Sequence, residues 1–208
     1  MAFEALAHVW EGHCELISRR RNSYKSFQEL RDNLAKLKVK NAILDGELVC
    51  LDAEGRSIFN ELLFRRGYPI FYAFDLLYLN GRDLRQLPLV ERKERLRALI
   101  ENSGLPDVIC GKYVEGRGID LFNEICQRNL EGVVAKRKTG TYATVSGWLK
   151  IKNPWYTHSE RRHELFETFK AKQTKQQQLP PIPKKPPQRS LPNRGYRKLV
   201  PREGVTCR

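Results

Sequence analysis

The chain has 208 residues and a formal net charge of +14 at pH 7, from 38 Lys and Arg against 24 Asp and Glu. Its length is sufficient for one domain with a sizeable hydrophobic core. The sequence shows no signal-like stretch and no apolar run of membrane-spanning length. Five cysteines without metal-type spacing predict buried free thiols in a reducing compartment. We therefore expect a monomeric, cytoplasmic protein with no membrane partner.

The first predicted strand, Ile43–Val49, places two carboxylates on one face. Side chains alternate along a strand, so Asp45 and Glu47 share one side and Leu44 and Leu48 the other. Two carboxylates held close together bind a hard cation or perturb each other's protonation. A solvated Asp-Gly-Glu turn is the alternative.

The next predicted strand, Tyr72–Leu79, is an apolar run that ends at the turn pair Asn80-Gly81. Its composition predicts a buried strand. Composition alone assigns Phe74 to the core.

Two amphipathic helices are predicted over residues 90–102 and 118–127. Their apolar stripes comprise Leu96, Leu99 and Ile100 in the first helix and Ile119, Phe122, Ile125 and Cys126 in the second. The charged residues of the first helix predict a solvated face rather than a track for DNA; they are Arg92, Lys93, Glu94, Arg95 and Arg97. Helices mixed with strands predict an α+β fold with antiparallel sheets.

The last two predicted strands lie in residues 131–136 and 148–152, and each carries charge on an apolar background. Such charges cost free energy unless they meet a polyanion or a metal. Alternation puts Lys150 and Lys152 on the face of Trp148, with the intervening apolar residues, Leu149 and Ile151, in the opposite layer. Two ammonium groups on one face can clamp phosphates. The alternative is an edge strand whose lysines prevent aggregation.

The sequence divides into a domain, residues 1–170, and a tail, residues 171–208. The domain ends in a predicted helix over residues 158–170 with apolar residues at core-like spacing. The tail has ten Lys and Arg, one acidic residue and several Pro and Gln clusters, which predicts disorder. Through residues such as Lys184 and Lys185 it could bind DNA or RNA without sequence preference. A solubilising tail, or translated sequence past a frameshift, is the alternative.

Five motifs in order resemble the adenylation domain of ATP-dependent DNA ligases, most closely the bacterial end-joining repair type. They are Ser18–Arg20, Leu44–Glu47, Phe74–Gly81, Glu131–Lys136 and Trp148–Lys152. The resemblance implies an ATP-grasp-like nucleotidyltransferase domain of the α+β class. It also implies ATP as cosubstrate, with Mg²⁺ or Mn²⁺, and nicked or broken double-stranded DNA as substrate, with DNA end-binding repair proteins as partners.

The resemblance also implies an ATP-binding role for five residues. Arg19 matches the arginine on the ribose and phosphate side of the nucleotide. Glu47 matches the acidic residue that orients the ribose or its metal, and Phe74 the ring that stacks on adenine. Lys150 and Lys152 match the pair that holds the triphosphate.

Two further matches concern metal and nucleic acid. Glu131 matches the metal-linked carboxylate, so Glu47 and Glu131 form the implied metal site. Lys136 is a weaker match, because a regular pleat turns it to the face opposite Glu131. A DNA-facing role and a local twist are both open for Lys136.

The sequence departs from the family pattern at its start. The family's nucleophilic lysine lies in a Lys-x-Asp-Gly-x-Arg string, and Met1 and Ala2 fall where its Asp-Gly belongs. The lysine would precede Met1, so we expect no catalytic nucleophile and no self-adenylation in this polypeptide. Glu4 stands at the position of the string's arginine, which reverses a charge close to the phosphates. We also expect no OB-fold after the last motif.

Three functional hypotheses follow. The first is an ATP-dependent DNA ligase for repair and recombination, whose lysine was lost to a misassigned start or a gene fragment. The second is a non-catalytic module that binds nucleotide or nucleic acid. The third is an RNA ligase or capping guanylyltransferase, which the DNA-ligase-like string Phe74–Gly81 disfavours.

Overall fold

The computed structural model describes residues 3–53, 55–142 and 148–157, together with the backbone of 206 and 207. These ranges contain nine strands and four helices in two sheets. In chain order the elements are β1 Phe3–Trp10, β2 His13–Ser18, α1 Gln28–Leu34, β3 Asn41–Val49, α2 Phe59–Leu63, β4 Ile70–Leu79, β5 Arg82–Asp83, α3 Leu89–Glu101, β6 Val108–Cys110, α4 Gly118–Gln127, β7 Gly132–Lys136, β8 Trp148–Lys152 and β9 Thr206–Cys207.

The larger sheet has the strand order β2-β1-β3-β4-β5, and β6 pairs with β4. All of its pairs are antiparallel except β4 with β6. One face of this sheet is the core: Leu44 and Leu48 on β3 and Leu30 and Leu34 on α1 are fully buried. The predicted α+β class and the alternation along β3 are therefore confirmed, because the leucines and carboxylates of β3 lie on opposite faces.

A β-bulge on β4 determines what the other face presents. Asp75 pairs with Asp45, whereas the next pair joins Ala73 to Gly46, so Phe74 is an extra residue. Because a bulge sets two residues against one, it interrupts the strict alternation of side chains. Phe74 and Asp75 therefore both contact residues on the face away from the core. A simple period of two residues would have separated them.

The turn after β4 follows the prediction from its sequence. Asn80 and Gly81 have φ of 49° and 87°, the left-handed conformation that a tight two-residue hairpin requires. They connect β4 to the short strand β5.

The prediction of a solvated basic face on α3 is wrong for Arg92 and Lys93, which are both buried. The guanidinium of Arg92 donates two hydrogen bonds of 2.8 Å to the carboxylate of Asp75 on β4. It also donates to the carbonyls of Leu87 at 2.5 Å and Gly140 at 3.3 Å. Burial of a charged side chain is tolerated here because the charge is paired and its donors are used.

The smaller sheet has the order β8-β7-β9, with antiparallel pairs. Its outer face corrects another prediction, because Leu149 and Ile151 are 66% and 43% exposed rather than covered by a layer. Ile119 on α4 is exposed instead of packing in the predicted stripe. Thr206 and Cys207 form β9 within the segment predicted as a disordered tail.

Several expectations concern residues outside the described ranges. The predicted helix over residues 158–170 and the rest of the tail, with Lys184 and Lys185, fall there. In the part of the chain that is described, no helix combines the length and apolar character needed to cross a bilayer. Cys14 and Cys50 are buried free thiols, as predicted, whereas the free thiols Cys110 and Cys126 are only half-buried.

Arg92→Met tests the buried ion pair. Removal of the guanidinium leaves the Asp75 carboxylate buried without its partner, so we expect the free energy of unfolding to fall by about 3–5 kcal/mol. Arg95→Met on the exposed face of α3 is the matched control and should change stability by less than about 0.5 kcal/mol. Urea denaturation followed by circular dichroism measures both. A loss below about 1 kcal/mol for Arg92→Met would show that the ion pair is not structural.

Candidate functional site

Three carboxylates lie on the face of the larger sheet that points away from the core. Glu4 on β1 pairs directly with Glu47 on β3, and Asp45 lies two residues from Glu47 on the same face. Like charges directly opposite each other on neighbouring strands are destabilising. This face therefore requires cationic partners.

Two cations approach Glu4 from different elements. The guanidinium of Arg19, just after β2, is 3.8 Å from one carboxylate oxygen, and the ammonium of Lys150 on β8 is 3.9 Å from the other. The predicted residues Arg19, Glu47 and Lys150 are thus brought to one place from both sheets.

Lys136 and two aromatic rings form the centre of the site. Lys136 lies opposite Trp148 in the β7–β8 register, so the two side chains share a face. The Lys136 ammonium is 3.7 Å from the ring centroid of Trp148 and 6.0 Å from that of Phe74. Cation–π attraction at these distances stabilises the lysine over the rings. Lys136 therefore joins Phe74 of the larger sheet to Trp148 of the smaller one, and its DNA-facing role stays a prediction.

Asp45 is an acid of this region whose environment changes its pKa. Burial raises its pKa to about 6, although the Lys136 ammonium opposes the shift. The Tyr142 hydroxyl donates a hydrogen bond of 3.3 Å to the Asp45 carboxylate. The Tyr142 ring also meets Trp148 edge-on, with centroids 5.8 Å apart. We name the inter-sheet cluster the set Glu4, Asp45, Glu47, Phe74, Lys136, Tyr142, Trp148 and Lys150.

Lys93 lies behind the aromatic centre and was missed by sequence reasoning. Its ammonium donates to the carbonyl of Gly111 at 3.3 Å. Burial, reinforced by the charge of Lys136, lowers its pKa to about 8. A Cβ at Gly111 would lie 3.0 Å from the Phe74 ring and 3.2 Å from the Tyr72 ring. Glycine therefore permits the loop after β6 to pack closely against these rings.

Two other predicted residues, Lys152 and Glu131, lie outside the inter-sheet cluster. Lys152 lies on the same side of β8 as Trp148 and Lys150 but is exposed and opposite Gly132. Glu131 precedes β7, and its carbonyl accepts a hydrogen bond from the Asn153 N–H at 2.9 Å. Among the described residues, no three His, Cys, Asp or Glu side chains are grouped so that they could hold a metal. The structure therefore does not assemble a metal site of that size around Glu47 and Glu131.

A separate surface cavity lies away from this cluster. Its volume is about 610 Å³, and its lining includes Lys36, Lys38, Lys40 and Asn80. It contains none of the carboxylates or rings described above. The inter-sheet cluster, not this cavity, combines the chemistry predicted from the sequence.

Asp45→Asn tests the electrostatics of the cluster. The Asp45 carboxyl has a pKa of about 6 in the folded protein, against an ordinary value of 3.8. Between pH 3.8 and pH 6 this group therefore binds more protons in the folded state than in the unfolded state. Its contribution to the free energy of unfolding therefore falls as the pH rises from about 4 to about 6. Asn cannot acquire this charge, so the stability of Asp45→Asn relative to wild type should increase by about 2 kcal/mol from pH 4.5 to pH 7.5. Urea denaturation at both pH values measures this difference.

The matched control is Asp83→Asn. Hydrogen bonds from Arg85 lower the pKa of Asp83 to about 2, so its titration lies below the tested window. The control should leave the difference between the two pH values unchanged. An equal response of the two variants would contradict the burial of Asp45.

Comparison with known proteins places this geometry in a family. The model of the ATP dependent DNA ligase domain matches residues 5–152. The multifunctional non-homologous end joining protein LigD of Pseudomonas aeruginosa is 35% identical over 158 residues, which is 72% of this chain and 19% of that protein. The DNA ligase of Pyrobaculum calidifontis is 32% identical over 189 residues, covering 79% of this chain and 30% of that protein.

Solved structures agree with the sequence relatives. The ligase domain of M. tuberculosis LigD is 29% identical, with a TM-score of 0.63, over 73% of this chain and 51% of that chain. A mycobacterial DNA ligase D complexed with ATP and MES has a TM-score of 0.60 at the same identity. The chain thus spans between a fifth and a third of the two sequence relatives and about half of the structural ones. By sequence and by fold, the chain belongs to the family of ATP-dependent DNA ligase domains.

Proposed function

We propose that this chain is the nucleotide-binding part of an ATP-dependent DNA ligase that seals nicked or broken double-stranded DNA. The observation that carries the proposal is the inter-sheet cluster, in which an aromatic platform, carboxylates and cations from two sheets converge. The predicted ATP-binding residues Arg19, Glu47, Phe74 and Lys150 belong to it or contact it.

The cluster offers separate contacts to the base and to the phosphates of the nucleotide. Phe74 supplies an apolar ring for adenine, and Lys150 and Arg19 supply positive charge for the phosphates, with Lys152 next along the same strand face. Phe74 is only 8% exposed, and the ammonium of Lys136 lies over its ring. Adenine can therefore stack on Phe74 only if the Lys136 side chain moves away from this ring toward the phosphates.

The chemistry of the cluster suits a divalent cation held mainly by the ligand. Mg²⁺ usually binds proteins through one or two carboxylates and takes its other ligands from phosphates and water. Glu47, with Glu131 as its proposed partner, provides carboxylates of that kind. When bound with ATP, Mg²⁺ or Mn²⁺ would neutralise phosphate charge.

The proposed reaction is that of the family. In that reaction a lysine, a role to which no residue of this sequence is assigned, attacks the α-phosphate of ATP and releases pyrophosphate. AMP then passes to the 5′-phosphate at the nick, and the 3′-hydroxyl displaces AMP. Lys136 and Lys150 would stabilise the charge that develops on the phosphoryl oxygens. The end-joining name of the Pseudomonas relative supports DNA-break repair as the setting, with DNA end-binding proteins as partners.

Phe74→Leu tests the aromatic platform. Leucine preserves an apolar side chain but removes the ring, and stacking of a base on an aromatic ring contributes about 1–3 kcal/mol. We expect the Kd for ATP to rise by about 5- to 160-fold, measured by isothermal titration calorimetry with Mg²⁺.

Phe71→Leu is the matched control, because Phe71 lies on the same strand but in the core on the other face. It should leave the Kd for ATP within about twofold of wild type. Similar losses in both variants would indicate a general effect of destabilising β4, and an unchanged Kd in Phe74→Leu would contradict the platform.

A further inference from the structure

Glu4 contacts both cations to which the proposed function assigns the phosphates of ATP. One carboxylate oxygen is 3.8 Å from Arg19 and the other is 3.9 Å from Lys150. The carboxylate therefore lies between the two positive charges and shares them. An incoming phosphate would compete with Glu4 for the same partners.

A ligand can displace the cations from Glu4, but it cannot move the strand that carries Glu4. The side chains of Arg19, Glu4 and Lys150 are 82%, 36% and 48% exposed, and ion pairs between such partly solvated groups are weak. The position of Glu4, in contrast, is set by the backbone, because β1 pairs with β3 along its whole length. Its negative charge thus remains beside any bound phosphate.

The negative charge of Glu4 also acts on Asp45, another carboxylate of the cluster. Its charge is one of the causes that raise the pKa of Asp45, after burial and the charge of Asp75. Glu4, Asp45 and Glu47 together oppose a ligand that carries several negative charges. A neutral nucleoside meets no such repulsion, and a monophosphate meets less of it than a triphosphate.

We propose that Glu4 is a specificity-determining residue that disfavours nucleoside triphosphates, so that the cluster holds AMP at least as tightly as ATP. The proposal rests on the proposed function, since it requires that the cluster bind adenine compounds. Because the Glu4 carboxylate pairs with both Arg19 and Lys150, its charge favours retention of the adenylate over capture of ATP.

Calorimetric titration of the whole chain with adenosine, AMP and ATP tests the proposal, in wild type, Glu4→Gln and Glu4→Arg. We expect AMP to bind wild type at least as tightly as ATP. Without the negative charge, affinity for ATP should rise about threefold in Glu4→Gln and at least about tenfold in Glu4→Arg. Affinity for adenosine should stay within about twofold, because adenosine carries no phosphate.

Three controls keep the outcomes distinct. Glu11→Gln removes one negative charge from the β1–β2 turn, seven residues along the hairpin, and should leave ATP affinity unchanged. Denaturation midpoints verify that each variant is folded. Titrations are repeated without Mg²⁺, because a loss of Mg²⁺-dependent ATP affinity in Glu4→Gln would make Glu4 a metal ligand and overturn the proposal.

The remaining outcomes separate this proposal from the proposed function. Adenosine binding together with unchanged ATP affinity in Glu4→Arg overturns only the selectivity of Glu4. Equal changes for adenosine and ATP also overturn it, since the effect would not act on phosphates. Absence of binding by all three adenine compounds in wild type and both variants overturns the proposed function and this proposal with it.

Discussion

The buried guanidinium of Arg92 is the contact on which the geometry of the site depends. It joins Asp75 on β4, the carbonyl before α3 and the carbonyl of Gly140 in the segment that follows β7. Backbone bonds reinforce the same junction, from Leu89 to Gly140 and from Tyr142 to Arg85. The segment that carries Tyr142 is therefore held against the strand that carries Phe74, and the smaller sheet faces the larger one at this point.

That junction makes the chemistry of the inter-sheet cluster possible. The larger sheet contributes carboxylates, which would repel one another on an isolated surface. The smaller sheet contributes Lys136 and Lys150, which neutralise them and leave cations directed toward the same space. The cluster therefore holds its negative charges on one sheet and its cations on the other. The phosphates of a ligand can replace the carboxylates as partners of the cations, while the ligand's apolar ring contacts the aromatic rings.

Sequence patterns predicted the elements better than the burial of individual side chains. The alternation of Leu44, Asp45 and Glu47 and the Asn80-Gly81 turn both correspond to the structure, because they depend on local backbone geometry. The burial of Arg92 could not be predicted, because its partner Asp75 lies 17 residues earlier in the chain. The bulge at Phe74 and the place of Lys136 over Trp148 likewise arise from pairing between strands, which a period of two residues does not encode.

The most direct test of the proposal that the inter-sheet cluster binds a nucleotide is photo-crosslinking with 8-azido-ATP, followed by peptide mapping. The azide on the adenine ring labels residues that surround the base. The account predicts labelled peptides from β4, β7 and β8, around Phe74, Lys136 and Trp148, and protection by excess AMP. Label confined to the separate surface cavity lined by Lys36, Lys38 and Lys40 would contradict it.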